Sequence, residues 1–341
     1  MKKVRLGKTN LQVSRVGMGG IPILLPPFDT AVKVIERALD LGINLIDTSV
    51  YYDDSELRIG RAIKGYREDI VVVTKSSWQS AKRTQNALEK SLKQLNTDYI
   101  DIWLFHNVST EDAYNTMLRP NESLKVANAA LESGKVHHLG LSTHSLAIAQ
   151  KATTSRLFEV ILFPFNFVTN HAEQQLVPLA KTHDVGFLAM KPFAGGQLTD
   201  ADLAIKYLLQ FDNVVPVPGI ETVENIEEIV EIVEGSWELT PKDWQRIEEI
   251  RTQQGSKLCM WCEYCKPCPK EINIPWVMNI ESMWILWGKA GFPGRMLKHI
   301  TKGRECDQCG ECEDKCPYQL NIRETLVKQI EYYDRIIQSQ L

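Results

Sequence analysis

The first 258 residues contain no cysteine; all eight lie between Cys259 and Cys316. That distribution argues against a disulfide framework spread through the fold and favours metal ligation by one segment in a reducing compartment. No stretch reaches the roughly 18 uninterrupted apolar residues of a membrane helix. The most lipid-like one, Trp276 to Trp287, is broken by Asn279, Glu281 and Ser282. It reads as a buried amphipathic helix, with a membrane-surface helix as the alternative. The opening Met1-Lys2-Lys3-Val4-Arg5 lacks the apolar run of a signal peptide. Neither sign of charge dominates: 39 basic residues face 43 acidic ones, a net charge of −4. With no basic block or basic–aromatic stripe, nucleic acid is not an expected partner. No 20–50-residue repeat is evident. What remains is a cytoplasmic protein, with no membrane partner, long enough for one large domain and a smaller one.

What is present begins with alternation. Apolar, β-branched runs recur at Val16–Ile21, Ile43–Asp47, Ile70–Thr74, Tyr99–Phe105, Val136–Leu141, Val160–Phe163, Val185–Met190 and Val214–Val217. Helical periodicity separates them. Ala31, Val34, Ile35, Ala38 and Leu39 make one apolar face that stops at Gly42. Val223, Ile226, Val230 and Val233 make another, with Thr222 as N-cap and Gly235 as stop. Eight strand–helix units predict an α/β fold, a closed (β/α)₈ TIM barrel. A doubly wound open sheet is the alternative, weakened because Gly17-Met18-Gly19-Gly20 lacks the Gly-x-Gly-x-x-Gly spacing after the first strand. Thr240-Pro241-Lys242-Asp243 opens one extra helix. The expected domains are therefore a barrel over 1–254, a hinge at Gly255-Ser256, and a mostly helical cysteine module over 255–341.

In such a barrel chemistry gathers where strands end. Asp47, Lys75 and His106 each close a predicted strand, and Tyr52 follows Asp47 by five residues. A phenol beside an ammonium suits general acid catalysis, because the cation favours the phenolate. A carboxylate can hold that ammonium, and an imidazole can orient a carbonyl oxygen. Each residue alone reads more readily as a satisfied polar group; four complementary types at successive strand ends do not.

Over residues 1–235 the sequence resembles the aldo-keto reductase family. The resemblance is carried by Asp47, Tyr52, Lys75 and His106, and by the text around them: Leu6-Gly7-Lys8-Thr9, Gly42 to Thr48, Asp98-Tyr99-Ile100-Asp101, and Gly134-Lys135-Val136 before Gly140-Leu141-Ser142. It implies an NAD(P)-dependent carbonyl reductase or alcohol dehydrogenase acting on a small substrate. Tyr52 would be the general acid/base, Lys75 would lower its pKa, Asp47 would pair with Lys75, and His106 would position substrate. The implied cofactor contacts are Ser142 and Thr143, where the family has Ser–Asn, then Met190 in place of a stacking aromatic residue, Lys191 and Phe193. The Gln expected near the end of strand six is Leu162. Family members that prefer NADP carry Lys and Arg where this chain has Gly219 and Asn225, and Glu221 adds negative charge. That departure favours NADH.

The cysteines form two runs, Cys259-x₂-Cys262-x₂-Cys265-x₂-Cys268-Pro269 and Cys306-x₂-Cys309-x₂-Cys312-x₃-Cys316-Pro317. The second matches the run of bacterial ferredoxins, whose fourth cysteine serves the other cluster. By that rule Cys259, Cys262, Cys265 and Cys316 hold one [4Fe–4S] cluster, and Cys306, Cys309, Cys312 and Cys268 a second. Zinc is the alternative, disfavoured because Cys₄ zinc sites space their two pairs widely. Barrel and module together resemble a subgroup of aldo-keto reductases with a C-terminal ferredoxin-like domain. The clusters would serve a structural or electron-transfer role, the latter implying an electron-transfer partner. The other six histidines read as surface or structural groups. The competing function is an electron-transfer or redox-sensing protein that uses the barrel as scaffold.

Overall fold

The computed structural model describes residues 1–76, 78–120, 122–255 and 257–338, with backbone alone over 286–293. Ser256 of the expected hinge lies outside the described residues, as does the side chain of Trp287. The chain divides into two compact units. One comprises Met1–Pro192 and Asp200–Leu239; the other comprises Phe193–Thr199 and Thr240–Leu341.

The first unit opens with an antiparallel pair that the sequence reading did not anticipate, β1 (Lys3–Arg5) and β2 (Gln12–Ser14). Eight parallel strands follow: β3 (Met18–Gly19), β4 (Leu45–Asp47), β5 (Val71–Ser76), β6 (Ile100–Phe105), β7 (Val136–Ser142), β8 (Val160–Pro164), β9 (Gly186–Met190) and β10 (Val214–Val217). They pair in sequence order, and a parallel bridge from Gly19 to Gly219 closes the ring. This is the (β/α)₈ barrel. Strands buried on both faces need continuous apolar runs rather than alternation, which is why those runs marked them in the sequence.

Leu45, Val71, Val73, Ile102, Leu104, Val160, Leu162, Leu188, Val215 and Val217 fill the barrel together with Leu6 and Val13. The initial strand pair thus plugs the end where strands begin. Arg15 fastens the closing seam. Its buried guanidinium donates to the carbonyls of Leu209 (3.2 Å), Phe211 (2.6 Å) and Val214, although burial holds its pKa down at about 10. Helices pack outside. Phe28–Asp40 ends before Gly42, whose φ of +89° suits glycine. Val223–Glu234 begins where Thr222 Oγ1 accepts the Asn225 N–H at 3.2 Å, as its cap predicts.

The second unit is helical: Pro241–Gln254, Ile274–Met278, Ile280–Gly303, Glu311–Asp314 and Ile322–Gln338. The helix expected to complete the barrel domain, Pro241–Gln254, groups here, so the compact units part at Thr240 rather than after Gln254. Its start is as predicted: Pro241 sits in the first turn, and Thr240 and Asp243 form a reciprocal capping box. The stretch from Trp276 begins in one helix, breaks at Asn279 and continues in the next. Val277, Met278, Ile280 and Met283 enter a core with Met296, Ile300, Leu320, Ile322 and Leu326. Among the described residues no helix is long and apolar enough to cross a membrane.

Candidate active site

Lys75 organises the mouth of the barrel. It lies within β5, one residue before its end, and is 1% exposed. Its Nζ donates to Asp47 Oδ2 at 2.7 Å and to the Thr48 carbonyl at 2.6 Å. Burial pulls the ammonium toward neutrality, but Asp47 and Tyr52 outweigh it and raise its pKa above the ordinary 10.5. Lys75 is therefore a cation through neutral pH. Burial raises the Asp47 carboxyl, with Lys75 opposing. Asp47 Oδ1 is buried without a hydrogen-bond partner among the described residues.

Tyr52 stands over this pair, with Lys75 Nζ 4.9 Å from its ring centroid. The turn that places it is local: the Tyr52 N–H donates to the Ser49 carbonyl at 2.9 Å. The expectation that Lys75 lowers the phenol's pKa holds for that one interaction. The net shift is upward, because burial exceeds the opposing charge and hydrogen bond of Lys75, and Asp47 adds to the rise. Tyr52 thus carries its proton at neutral pH. A group protonated in the resting site can act as an acid.

His106 lies just past β6. Its ring meets Tyr52 edge-on at 5.7 Å and stacks on Tyr51 at 5.8 Å. Burial, with the charge of Lys75 adding, pushes it down to about 3. The site therefore holds a neutral imidazole, a protonated phenol and one buried ion pair. Asp47, Tyr52, Lys75 and His106, predicted from separate strand ends, come together here.

The expected cofactor residues divide. Ser142 Oγ accepts the Asn107 N–H at 2.9 Å and donates to the Phe105 carbonyl at 3.4 Å. Thr143 Oγ1 accepts the Ser145 N–H at 3.0 Å and lies 3.3 Å from Ser109 Oγ. Both side chains are buried and tie their loop to the end of β6. The apolar Leu162 side chain belongs to the barrel core, and its carbonyl accepts the Thr143 N–H at 3.2 Å. Met190 ends β9 half-buried. Lys191 follows at φ +58°, its carbonyl accepting Asn166 Nδ2 at 3.0 Å. Phe193 belongs to the second unit. Glu221 is exposed, and the Asn225 backbone serves the Thr222 cap. A Cβ at Gly219 would come within 2.5 Å of Pro22 Cγ, so a lysine at this position would force a shift.

Two further residues escaped the sequence reading. His144, read as surface or structural, is half-buried with Nδ1 3.0 Å from Asn107 Oδ1. Burial, then Lys191 and His106, hold it well below the ordinary imidazole range. Ser49 Oγ lies 3.2 Å from His106 Nδ1. The only available signals were adjacency to Ser142-Thr143 for the first and to Asp47-Thr48 for the second.

In the second unit Cys268, Cys306, Cys309 and Cys312 line one pocket, with Asp307 and Arg323 also in its wall. Cys262 and Cys265 are buried, and Cys309 is exposed. Burial pushes the Cys262 thiol up to about 12, and nearby Cys259 and Cys316 add to the rise. Cys265 is raised likewise by burial, then by Cys259, Cys262 and Cys312. Trp261 meets Trp276 edge-on at 5.3 Å, and Trp276 stacks on His299 at 4.7 Å. Among the described residues no group of three His, Cys, Asp or Glu side chains is arranged to hold a single metal ion.

The profile of the Aldo/keto reductase family matches residues 16–203. The uncharacterized oxidoreductase YqkF of Bacillus subtilis is 29% identical over 217 residues, covering 60% of this chain and 68% of that protein. L-galactose dehydrogenase of Arabidopsis thaliana is 30% identical over 214 residues, covering 57% of this chain and 66% of that protein. The chain thus spans about two thirds of the length of these relatives. The holo form of aldo-keto reductase AKR11C1 from Bacillus halodurans superposes with a TM-score of 0.63 at 24% identity, covering 73% of this chain and 96% of that one. An aldo/keto reductase from Klebsiella pneumoniae, in complex with NADP and acetate, gives 0.61 at 21% identity, covering 73% and 95%. These superpositions are to the same barrel fold. With more than half of its length matched by the family profile, the chain belongs to the aldo/keto reductase family of oxidoreductase enzymes.

Proposed function

We propose that the protein reduces a small carbonyl compound, or oxidises the corresponding alcohol, with a nicotinamide cofactor. The observation that carries this reading is the buried Lys75–Asp47 pair at 2.7 Å beneath Tyr52. When bound, the nicotinamide supplies or accepts the hydride. Tyr52 gives its proton to the oxygen of the reduced carbonyl and takes it back in the reverse direction. Lys75 stabilises the phenolate left behind, Asp47 keeps Lys75 charged, and neutral His106 donates a hydrogen bond to the same oxygen.

The residues fit a nicotinamide cofactor. Asp47 Oδ1 is a buried acceptor without a donor, and an unmet acceptor of this kind costs about 1–3 kcal/mol until a ligand hydroxyl or a water supplies one. Met190 and Lys191 stand at the same end of the barrel, where β9 finishes. Ser142 and Thr143 would act as braces for the surrounding loops rather than as direct donors. The Klebsiella protein binds NADP. This chain favours NADH, because Glu221 is acidic and Gly219, pressed against Pro22, leaves no room for a lysine.

The spacing of the two cysteine runs suits two [4Fe–4S] clusters with crossed ligands. The shared pocket of Cys268, Cys306, Cys309 and Cys312 supports one set. The electrostatic influence of Cys259 and Cys316 on buried Cys262 supports the other. A single tetrahedral zinc ion would draw four sulfurs to about 2.3 Å from one centre; a cubane holds them farther apart. The clusters would brace the C-terminal unit or exchange single electrons with a partner protein.

Tyr52→Phe tests the main reading. Aldehyde reduction by the variant should fall on the order of 10²–10⁴-fold, with NADH affinity by fluorescence unchanged. Equal turnover would remove Tyr52 from the reaction. Iron and sulfide assays on anaerobically purified protein test the cluster reading: about eight of each are expected for two four-iron clusters, and zinc in their place would overturn it.

A further inference from the structure

Ser49 contacts both the backbone of Tyr52 and the ring of His106. Its side chain is 1% exposed. Its carbonyl accepts the Tyr52 N–H at 2.9 Å, and its Oγ accepts the Tyr51 N–H at 3.3 Å. The same Oγ lies 3.2 Å from His106 Nδ1.

A serine hydroxyl has one hydrogen and two lone pairs. The Tyr51 N–H engages a lone pair. Among the described residues, the acceptor within reach of the remaining hydrogen is His106 Nδ1. Were Nδ1 protonated, that hydrogen would be buried with no acceptor, which is unfavourable. The imidazole is neutral, held down near 3 by burial and by Lys75, so it carries one proton, and Nδ1 as acceptor leaves that proton on Nε2.

We propose that Ser49 is a positioning residue that fixes His106 in its Nε2–H tautomer, so that the imidazole offers a donor rather than a lone pair to the substrate oxygen. The contact also ties His106 to the turn that carries Tyr52. One residue thereby sets the donor of the imidazole and the backbone of the phenol. With the opposite tautomer, His106 would face the carbonyl oxygen with a lone pair and repel it.

This rests on the proposed role of His106 in carbonyl reduction, and the test separates the two. The full-length protein, labelled with ¹⁵N-histidine, is compared as wild type, Ser49→Ala and Ser49→Thr. His106→Gln identifies the signals. The wild type should show a protonated Nε2 and an unprotonated Nδ1 shifted by an accepted hydrogen bond. Ser49→Ala should lose that hydrogen-bond shift and lower kcat/KM for an aldehyde by about 3–10-fold, the size expected for one hydrogen bond. Ser49→Thr, which keeps the hydroxyl, should restore both. NADH affinity should be the same in all three. A protonated Nδ1 in the wild type would overturn the proposal, as would an unchanged spectrum and rate in Ser49→Ala. The Nε2–H tautomer without any aldehyde turnover would support the Ser49 contact and overturn the proposed reaction.

Discussion

Asp47→Asn isolates what holds Lys75 charged inside the barrel. Lys75 is 1% exposed, and its ammonium donates to Asp47 Oδ2 and the Thr48 carbonyl at 2.7 and 2.6 Å, with the Tyr52 phenol also in hydrogen-bonding contact. Removing the carboxylate leaves a buried cation facing a neutral amide, a change that typically costs about 3–5 kcal/mol. For a domain of this size, roughly 2–4 °C per kcal/mol converts this to a melting temperature lower by about 6–20 °C. The pH dependence should change sign. In the wild type the folded pKa of Lys75 lies above 10.5, so its contribution is complete below that pH and lost as pH climbs through the folded value. In the variant burial wins and the folded pKa falls below 10.5, so stability should rise with pH between the lowered value and 10.5. Adding Lys75→Met removes the orphaned charge. The double variant should recover to within about 1–3 kcal/mol of wild type, the remainder being the Thr48 carbonyl left without its donor. Thermal melts at several pH values provide the assay. A single variant as stable as wild type, or a double variant less stable than the single, would refute the reasoning.

His106 should show no protonation between pH 5 and 8 by NMR, since burial puts it near 3. A folded pKa below the unfolded value makes stability fall as pH drops from about 6.5 toward 3, because only the unfolded chain binds the proton there; a titration near 6.5 in the folded protein would contradict the burial argument. Cys309→Ser should lower the iron content while leaving most NADH-dependent aldehyde reduction intact, because Asp47, Tyr52, Lys75 and His106 all lie in the first unit. Loss of turnover in step with iron would give the clusters a place in the reaction.

Much of the barrel was legible because burial on both faces forces each strand into an uninterrupted apolar run. A run such as Gly186-Phe187-Leu188-Ala189-Met190 then ends where Lys191 meets the mouth, while in Ile100–Phe105 the one interruption, Asp101, is paired with Arg67. The tetrad was legible for the same reason: Asp47, Lys75 and His106 mark strand ends, and Tyr52 sits on the turn after the first. The chain's grouping was not legible. The loop Phe193–Thr199 falls in the second unit, where Gln197 Nε2 donates to Ser282 Oγ at 2.6 Å across 85 residues of sequence. No local pattern encodes such a contact, and a boundary drawn from helix periodicity misses it.

Polar side chains in loops expose the deeper limit. Ser142, Thr143 and Ser49 are all buried hydroxyls beside the mouth of one barrel, and a hydroxyl's role depends on which partners its one hydrogen and two lone pairs find. Ser142 and Thr143 stand where the resemblance implies cofactor contacts, and within the chain their partners are Asn107, Phe105, Ser109 and Ser145. Ser49 was passed over, yet its partner is the imidazole. All of those partners except Ser145 come from other strand ends, brought near by the closure of the barrel. Residue type fixes what a group can donate or accept, and strand order fixes which end of the barrel it reaches. The pairing itself is decided by distances of about 3 Å between loops that the sequence places 35 to 57 residues apart. The four groups that meet at the mouth could be picked out by type and place; the hydroxyls that contact their neighbours required the packed structure.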